Sequence, residues 1–600
     1  MKKSKNGFWT LLSLITYKKK DKPEEFYIPE VNEGESRQVS QEKNNDKSTP
    51  STNEKQNTQK DNKGLKKPIP VSELKKEKTE SGVKKDENCI SCSIDENIDF
   101  INRMFNAPVN KDIVVREFNI AGHYKAFITY LSGMADKITI SNFILKPLLA
   151  KKSVEDAEED CKLDYILKNV IETHQAKKIT SPNEVIYEIL NGNTCIYADG
   201  CNFYISAETV GFDKRGVDKP QTEGIVSGSQ EGFNETLRTN ITLVRKIIRN
   251  NNLVTEFLTV GERNKNLCSI LYIKGLANPA VVQEVKRRIN GIKTDFMLGD
   301  GMMEQFIEDN TFSIVPTILS TERPDRTASH IMEGRVAILV DGAPFAKIVP
   351  VTSHSLFHTP EETYLRWQYG TFIRLIRFLA VALAALLPGL YIGLVGYHRE
   401  MIPTDLMIAI VKAKENVPFP TLLEILLMEV SFELIREAGI RIPGIIGNTI
   451  GIIGALILGQ AAVQANIVSP VLIIIIAVTG LGSFAIPNYN LAFGVRIVRF
   501  LFILAAAALG YYGITLAFIA IAALILSMKS FGVPFVSHLG PQVRQSHDAI
   551  LRWPVWKQEY RPDPVNPLDV RRQPKISRKW TAKDPKTGID RERNNDDEGR

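Results

Sequence analysis

Between residues 372 and 528 the chain changes from mixed, polar sequence to long apolar runs. A helical span of a bilayer core needs about 20 consecutive apolar residues. Residues 375–397, 445–463 and 467–486 meet or approach that length, and 495–528 can hold two short spans separated at Gly510-Tyr511-Tyr512-Gly513. The expected architecture is therefore an α/β soluble N-terminal module followed by a C-terminal polytopic α-helical membrane domain. Such a chain reads as a receptor, channel or transporter rather than a soluble enzyme.

Charge placement bears on orientation. Arg366, Arg374 and Arg377 flank the first span, and Lys529 and a basic, proline-rich tail follow the last. Positive residues near span ends prefer the cytoplasm, so both ends read as cytoplasmic and the number of spans as even. The open segment is 421–437, apolar but carrying Glu424, Glu429, Glu433 and Glu437. Counting it gives six spans and keeps Arg436, Arg441, Arg496 and Arg499 inside. Leaving it at the interface gives five, or four if 495–528 is one helix. Six agrees best with the charge rule. The net charge of +7 is small for 600 residues, and its basic residues sit in the tails and beside the spans, not on one face as a nucleic-acid-binding domain would have them.

Residues 1–93 read as a disordered extension. Lys2, Lys3 and Lys5 precede ten apolar-rich residues, too few to span and without a cleavage site, so this segment is expected to lie on an anionic lipid surface. The stretch after it is rich in Lys, Glu, Asn and Ser and cannot bury enough apolar area to offset its conformational entropy. From residue 94 strand-like and helical runs alternate. Strands are expected at 112–120, 125–131, 194–206, 253–260, 268–273 and 335–340, and helices at 234–248 and 279–290. Asp341-Gly342 reads as a hairpin turn. The polar stretch 207–223 divides two α/β subdomains, 94–206 and 207–352. A connector, 353–371, leads to the membrane domain, 372–530, and a tail, 531–600.

Six scattered cysteines, one lone Cys89-Ile-Ser-Cys92 among them, give no paired zinc spacing and read as free thiols. P-loop, HExxH and GxSxG motifs are missing from the sequence, so neither cofactor nor metal nor catalytic residue is expected. His354 and His358 read as surface residues before the membrane.

The sharpest signal is acidic. Glu429, Glu433 and Glu437 recur every four residues and share one helix stripe. Intramembrane carboxylates usually face a bundle interior or a wet cavity and mark ion paths; the alternative is an interfacial amphipathic helix with solvated glutamates. Gly447 and Gly451 have the spacing that lets helices approach closely, and Gly454 extends that small-residue side. The β-branched run after Ser469, with Val471 and Thr479, is lipid-facing filler by default and a constriction by alternative.

Several motifs in order carry a family resemblance. Ser227-Gly-Ser-Gln-Glu231-Gly-Phe-Asn-Glu235, with Asn240, Leu243 and Arg245, is similar to a signature of the A subunit of spore germinant receptors, the GerA family, although Ser227-Gly228-Ser229 stands where that family usually has Arg-Gly-Pro. Arg323-Pro324-Asp325, Glu333-Gly334-Arg335 through Asp341-Gly342, Pro418-Phe-Pro420, Met428-Glu429, Phe432-Glu433 through Gly439 and Arg441-Ile-Pro443 fit it as well. The resemblance covers about residues 94–541. It implies an oligomeric, nutrient-gated ion channel in the spore inner membrane, with a permease-like B subunit and a lipoprotein C subunit as partners. Glu231, Glu235, Arg245, Arg323, Asp325 and Arg335 are then candidates for the subdomain interface. A secondary transporter and a structural scaffold for a permease-like sensor stand as alternatives.

Overall fold

A computed structural model of the chain describes residues 90–150, 162–211, 219–441, 454, 457–537, 548 and 551–574. Gly447, Gly451 and the expected extension up to residue 89 lie outside them. The N-terminal half contains two five-stranded antiparallel sheets of identical strand order. The first subdomain runs α1 (Ile94–Met104), β1 (Ile113–Ile120), β2 (Tyr124–Leu131), α2 (Lys162–Asn169), β3 (Ala176–Ile179), α3 (Pro182–Asn191), β4 (Thr194–Ala198) and β5 (Tyr204–Ala207). The second runs α4 (Leu237–Ile247), β6 (Leu253–Val260), β7 (Asn266–Ile273), α5 (Pro279–Asn290), α6 (Asp300–Ile307), β8 (Leu319–Thr321), α7 (Pro324–Met332), β9 (Val336–Val340) and β10 (Ala346–Val349). The orders are β1-β2-β4-β5-β3 and β6-β7-β9-β10-β8.

The second half of each subdomain repeats one sequence device. Proline opens a helix, a glycine of positive φ (Gly192, Gly334) closes it, a strand follows, and Asp-Gly turns into the next strand, with Gly200 at φ 82° and Gly342 at φ 84°. Proline suits the first helical turn, where its missing N–H has no partner to lose, and glycine suits the left-handed positions. The single strand expected over 194–206 is thus two strands, because Asp199-Gly200 does there what Asp341-Gly342 does in the second subdomain.

Both sheets are covered on both faces. On β2, Ala126 and Ile128 face one core with Ile196 and Ile205, while Phe127 faces the other with Tyr197 and Tyr204. Strand side chains alternate between faces, so central strands buried on both sides read as continuous apolar runs. In the second subdomain Leu271, Leu339 and Ile348 share a core with Ala384, Leu491, Val495 and Met528, so the module's core continues into the helical half.

That half begins, after the connector helix α8 (Glu361–Tyr364), with α9 (Trp367–Gly396), followed by α10 (Thr404–Lys414), α11 (Thr421–Arg441), α12 (Pro470–Phe484) and α13 (Tyr489–Ser527). Helices α9 and α13 are long and apolar enough to cross a membrane. The 15 residues of α12 rise only about 22 Å, short of a ~30 Å core. Contacts fix the directions. Starting at the module, α9 ends distally at Tyr397. Helix α12 returns, with Ser469 distal and Gly482 packed on Ala380. Helix α13 leaves with Gly494 against Ile314 and reverses at Gly510, where φ is 61° and ψ −138°. A Cβ built on Gly513 would lie 2.0 Å from the Ala505 carbonyl oxygen, and Met528 is back on the module. The arms 489–509 and 511–527 therefore form a hairpin at the break expected from Gly510 and Gly513. Helix α11 also runs towards the module, from Glu424 beside Ser469 to Arg436 beside Ser483.

The tail is not separate from the module. Phe531 and Phe535 lie in its two cores, Leu568 N–H donates to the Leu276 carbonyl at 3.0 Å, and Arg561 donates to Met332 O at 3.1 Å.

Candidate functional site

Two sets of buried charges tie the two halves together. The first lies at the junction. Arg323, at the N-cap of α7, forks onto Asp325 at 2.8 and 3.1 Å and donates to the carbonyls of Glu223 and Ser229, holding the segment 219–231 in place. Arg326 pairs with Glu223 and donates to the carbonyls of Ser355 and His358. Arg335 donates to Pro350 O and Ser355 Oγ. The connector thus rests on arginines of the second subdomain. Its Glu362, buried, in turn accepts from Arg374 Nε at 2.5 Å and from Arg377, both in the first turns of α9. Arg374 also pairs with Asp548 of the tail at 2.8 Å. Burial alone would raise the Glu362 carboxyl, but His358, Arg374 and Arg377 outweigh it and hold it below the ordinary value. His358, expected at the surface, is half-buried and belongs to this knot, with its ring 5.2 Å from that of His354.

The second set lies inside the helical half. Pro388 in α9 has no N–H to give the Ala384 carbonyl, the bond a regular helix would make four residues back. Arg499 Nε of α13 donates to that carbonyl at 2.8 Å, and Arg499 Nη1 donates to Glu429 at 2.5 Å. One arginine therefore satisfies a helix defect and neutralises a buried carboxylate, linking α9, α11 and α13. Glu433 accepts from Arg496 at 2.5 Å and Arg436 at 3.1 Å, and Arg436 reaches Ser483 Oγ. Glu424 pairs with Lys414 at 3.0 Å and accepts from the Ser469 amide. Glu437 is exposed at the end near the module. Ser469 caps α12 through Leu472 N–H, Thr479 is buried with its hydroxyl donating to Ile475 O, and Val471 is half-buried. A Cβ on Gly454 would lie 3.9 Å from Ile435 of α11.

The remaining candidates separate. Arg245 leaves the second subdomain to pair with buried Asp112 of the first at 2.7 Å, and also donates to Asn110 Oδ1 and Leu253 O. Here the sheet edges β1 and β6 meet, Lys111 N–H donating to Thr255 O. Glu231 pairs with Lys246 at 2.5 Å, within its own subdomain. Glu235 is exposed, and its carbonyl accepts from Gly342 N–H. Arg323, with Asp325, holds the segment 219–231, and Arg335 serves the connector. In the sequence Arg374 and Arg377 read only as topology signals, and Glu362, Asp548 and Arg499 do not stand out as partners. Their one visible signal was charge close to an apolar run.

Comparison with known proteins identifies the fold's company. The family model described as Bacillus/Clostridium GerA spore germination protein matches residues 99–564. Spore germination protein KA of Bacillus subtilis (strain 168) is 39% identical over 472 residues, 78% of this chain and 86% of that protein. Spore germination protein GerLA of Bacillus cereus is 37% identical, over 77% of this chain and 94% of that protein. An uncharacterized membrane protein of B. subtilis, YfkQ, is 36% identical over 79% of this chain and 91% of its own length. The crystal structure of the N-terminal domain of the A subunit of the Bacillus megaterium spore germinant receptor GerK3 matches 44% of this chain and 96% of that domain, with 30% identity and a TM-score of 0.36. With a family match over 466 residues and relatives that align along most of their own length, the chain belongs to the GerA family of spore germination proteins.

Proposed function

We propose that this chain is the A-type subunit of a nutrient-sensing germinant receptor and forms, with copies of itself, a gated ion channel in the spore inner membrane. The module faces the spore core. A permease-like B subunit that senses the nutrient and a lipoprotein C subunit complete the receptor, and the chain's own role is not enzymic. The observation that carries this reading is a pair of buried contact sets joined by α9: Arg326 holds the connector, whose Glu362 pairs with Arg374 and Arg377, and further along the same helix the Ala384 carbonyl accepts from Arg499, which pairs with Glu429. A displacement of the module moves α9, and α9 is fastened to the glutamate-bearing α11. Buried ion pairs of this kind have discrete arrangements, because breaking one strands a charge at a cost of about 3–5 kcal/mol.

In this reading the ion path runs along α11 and α12, and Glu429 and Glu433 set its width through their arginines. Cation-selective pores commonly use carboxylate rings. The experiment is rubidium flux through the receptor reconstituted with all its subunits, comparing the parent with Glu429→Gln/Glu433→Gln. In receptor that still assembles, flux should fall or lose cation selectivity. Unchanged flux and selectivity would remove these residues from the path. The intramolecular pairing of both glutamates favours a second reading, a scaffold that positions a sensing partner. Under that reading the double variant impairs assembly, and the parent receptor carries no ions.

A further inference from the structure

The tail returns to the start of α9 and presents there a patch of exposed aromatic and aliphatic side chains. Its segment 551–557 reads Leu-Arg-Trp-Pro-Val-Trp-Lys, and its backbone is pinned. Arg552 N–H donates to Thr371 Oγ1 at 3.2 Å, Arg552 Nη1 donates to Leu365 O at 3.2 Å, and Gln573 Nε2 donates to Val555 O at 2.7 Å. Between this segment and the entry of α9 lies an open groove of about 890 Å³, lined by Leu365, Trp367, Leu551, Trp553, Val555 and Trp556. Leu551 and Val555 are each 51% exposed, Trp367 44%, Trp553 42% and Trp556 38%.

Two observations say what covers this patch. The first is continuity. Trp367, Thr371, Leu375 and Leu379 are spaced by four and so form one stripe of α9. The tail is seated on Thr371, and directly beyond it Leu375 and Leu379 are exposed on the apolar outer surface of the helix. The second is depth. The 30 residues of α9 rise about 45 Å. A bilayer measures about 40–45 Å with its headgroup layers and about 30 Å without them. A helix of this length that crosses it leaves its first turn, with Trp367 and the tail beside it, in the headgroup layer. Tryptophan concentrates at that level because its ring is apolar and its N–H polar. Charge is not what drives the contact. Arg552 is buried and turned onto Leu365 O, and Lys557 lies over the rings of Trp553 and Trp556 at 5.3 and 5.2 Å.

We propose that segment 551–557 is an interfacial anchor, with Trp553 and Trp556 beside Trp367 in the headgroup–acyl boundary of the leaflet next to the module, whatever the headgroup charge. The anchor rests on the reading that α9 crosses the bilayer. It would set the depth of the junction, since Arg552 holds Leu365 and Thr371 on either side of the first turn of α9.

The test uses the full chain in phosphatidylcholine vesicles whose lipids are brominated either near the headgroup end of the acyl chain or near its methyl end. The signal is the fluorescence that Trp553→Phe/Trp556→Phe loses relative to the parent, with Trp9, Trp367 and Trp580 present in both proteins. Bromine near the headgroup end should quench this difference signal more than bromine near the methyl end, and brominated phosphatidylglycerol should quench it equally. Stronger quenching from the methyl end, or none from either, would overturn the anchor. A signal that lipid does not quench, but that the other receptor subunits shield from acrylamide, would overturn it too and make the patch a subunit contact. A second reporter, Leu379→Trp, lies further along the same stripe and should be quenched most from the methyl end if α9 crosses the bilayer. Quenching at Leu379→Trp without quenching of the tail pair overturns the anchor alone, and quenching at neither overturns the membrane reading with it.

Discussion

At the scale of single residues, the arginines carry most of what the sequence left unread. Glu429, Glu433 and Glu437 were legible as a stripe because helical period is a local property. Their partners were not, since Arg496 lies 63 positions from Glu433 and Arg499 lies 70 from Glu429. Arg245 and Asp112 are 133 apart, and no periodicity links them. Glu362 is the residue whose removal should be felt most at the junction. Replacing it by Gln leaves Arg374 and Arg377 buried without the carboxylate they share, and should loosen the connector by about 3–5 kcal/mol. The pH dependence follows from the sign of the shift. Because the folded Glu362 titrates below its ordinary 4.5, its contribution is fully present above that value and is lost as pH falls through the lower, folded one. Asp548 works the other way. Burial raises it, Arg374 offsets only part of that, and its protonation relieves rather than costs stability. Hydrogen exchange of residues 353–377, corrected for intrinsic rates, should therefore stay flat from neutral pH down to the ordinary carboxylate range and rise only below it. Glu362→Gln should exchange fast throughout. A rise near neutral pH in the parent would show that Glu362 does not hold the knot.

At the scale of elements, the apolar runs announced helices but not where they turn. The break at Gly510 was legible because the Gly-Tyr-Tyr-Gly pattern interrupts an otherwise uniform run, and the geometry explains why glycine must stand there. At φ 61° and ψ −138° an L side chain is strained, and its Cβ would come within 2.8 Å of Tyr397. The same break frees backbone groups that the distal end of α9 then satisfies. Tyr397 Oη donates to the carbonyls of Ala507 and Ala508, and Tyr511 N–H donates to His398 Nε2 at 3.4 Å. Backbone groups freed in an apolar setting require such partners. Gly510→Ala should cost about 1–3 kcal/mol and open the hairpin tip. The measurement is proteolytic or thermal stability of the full chain in detergent, and an unchanged midpoint would mean that the hairpin tolerates another turn geometry. The duplicated Asp-Gly hairpins show the opposite case. Asp341-Gly342 was legible because apolar runs flank it closely, whereas Asp199-Gly200 was hidden by the apolar-rich residues that continue on both sides, so two strands read as one.

At the scale of the whole molecule, the two-part architecture was the most legible property, since hydropathy over tens of residues is a bulk quantity that local detail cannot disguise. What sequence could not give is that the tail returns to the module and that the module's core runs into the helical bundle, both of which depend on contacts between distant segments. Those contacts constrain topology. Tail residues 551–574 touch the connector and second subdomain, for instance Arg552 donating to Leu365 O and Arg561 to Met332 O, so module and tail must occupy the same side of any membrane the bundle crosses. Arg374, Arg377 and Lys529 lie at the end near the module, and positive residues at span ends favour the cytoplasmic side. The distal end carries Tyr397, His398, Arg399 and Glu400. Single cysteines should report this arrangement. Lys347 is unsuitable as a site on the module, because it is buried against Asp300 and Glu304. Lys293 and Lys557 are suitable for the proximal side, and Glu400, exposed just beyond α9, for the distal side. In sealed cells an impermeant maleimide should label Glu400→Cys and spare Lys293→Cys and Lys557→Cys until the membrane is permeabilised, measured against the parent's own thiols. Labelling of Lys293→Cys and Lys557→Cys from outside, with Glu400→Cys protected, would invert the orientation. Opposite labelling of the two proximal sites would break the topology itself, because it would separate a tail and a module that share one set of hydrogen bonds.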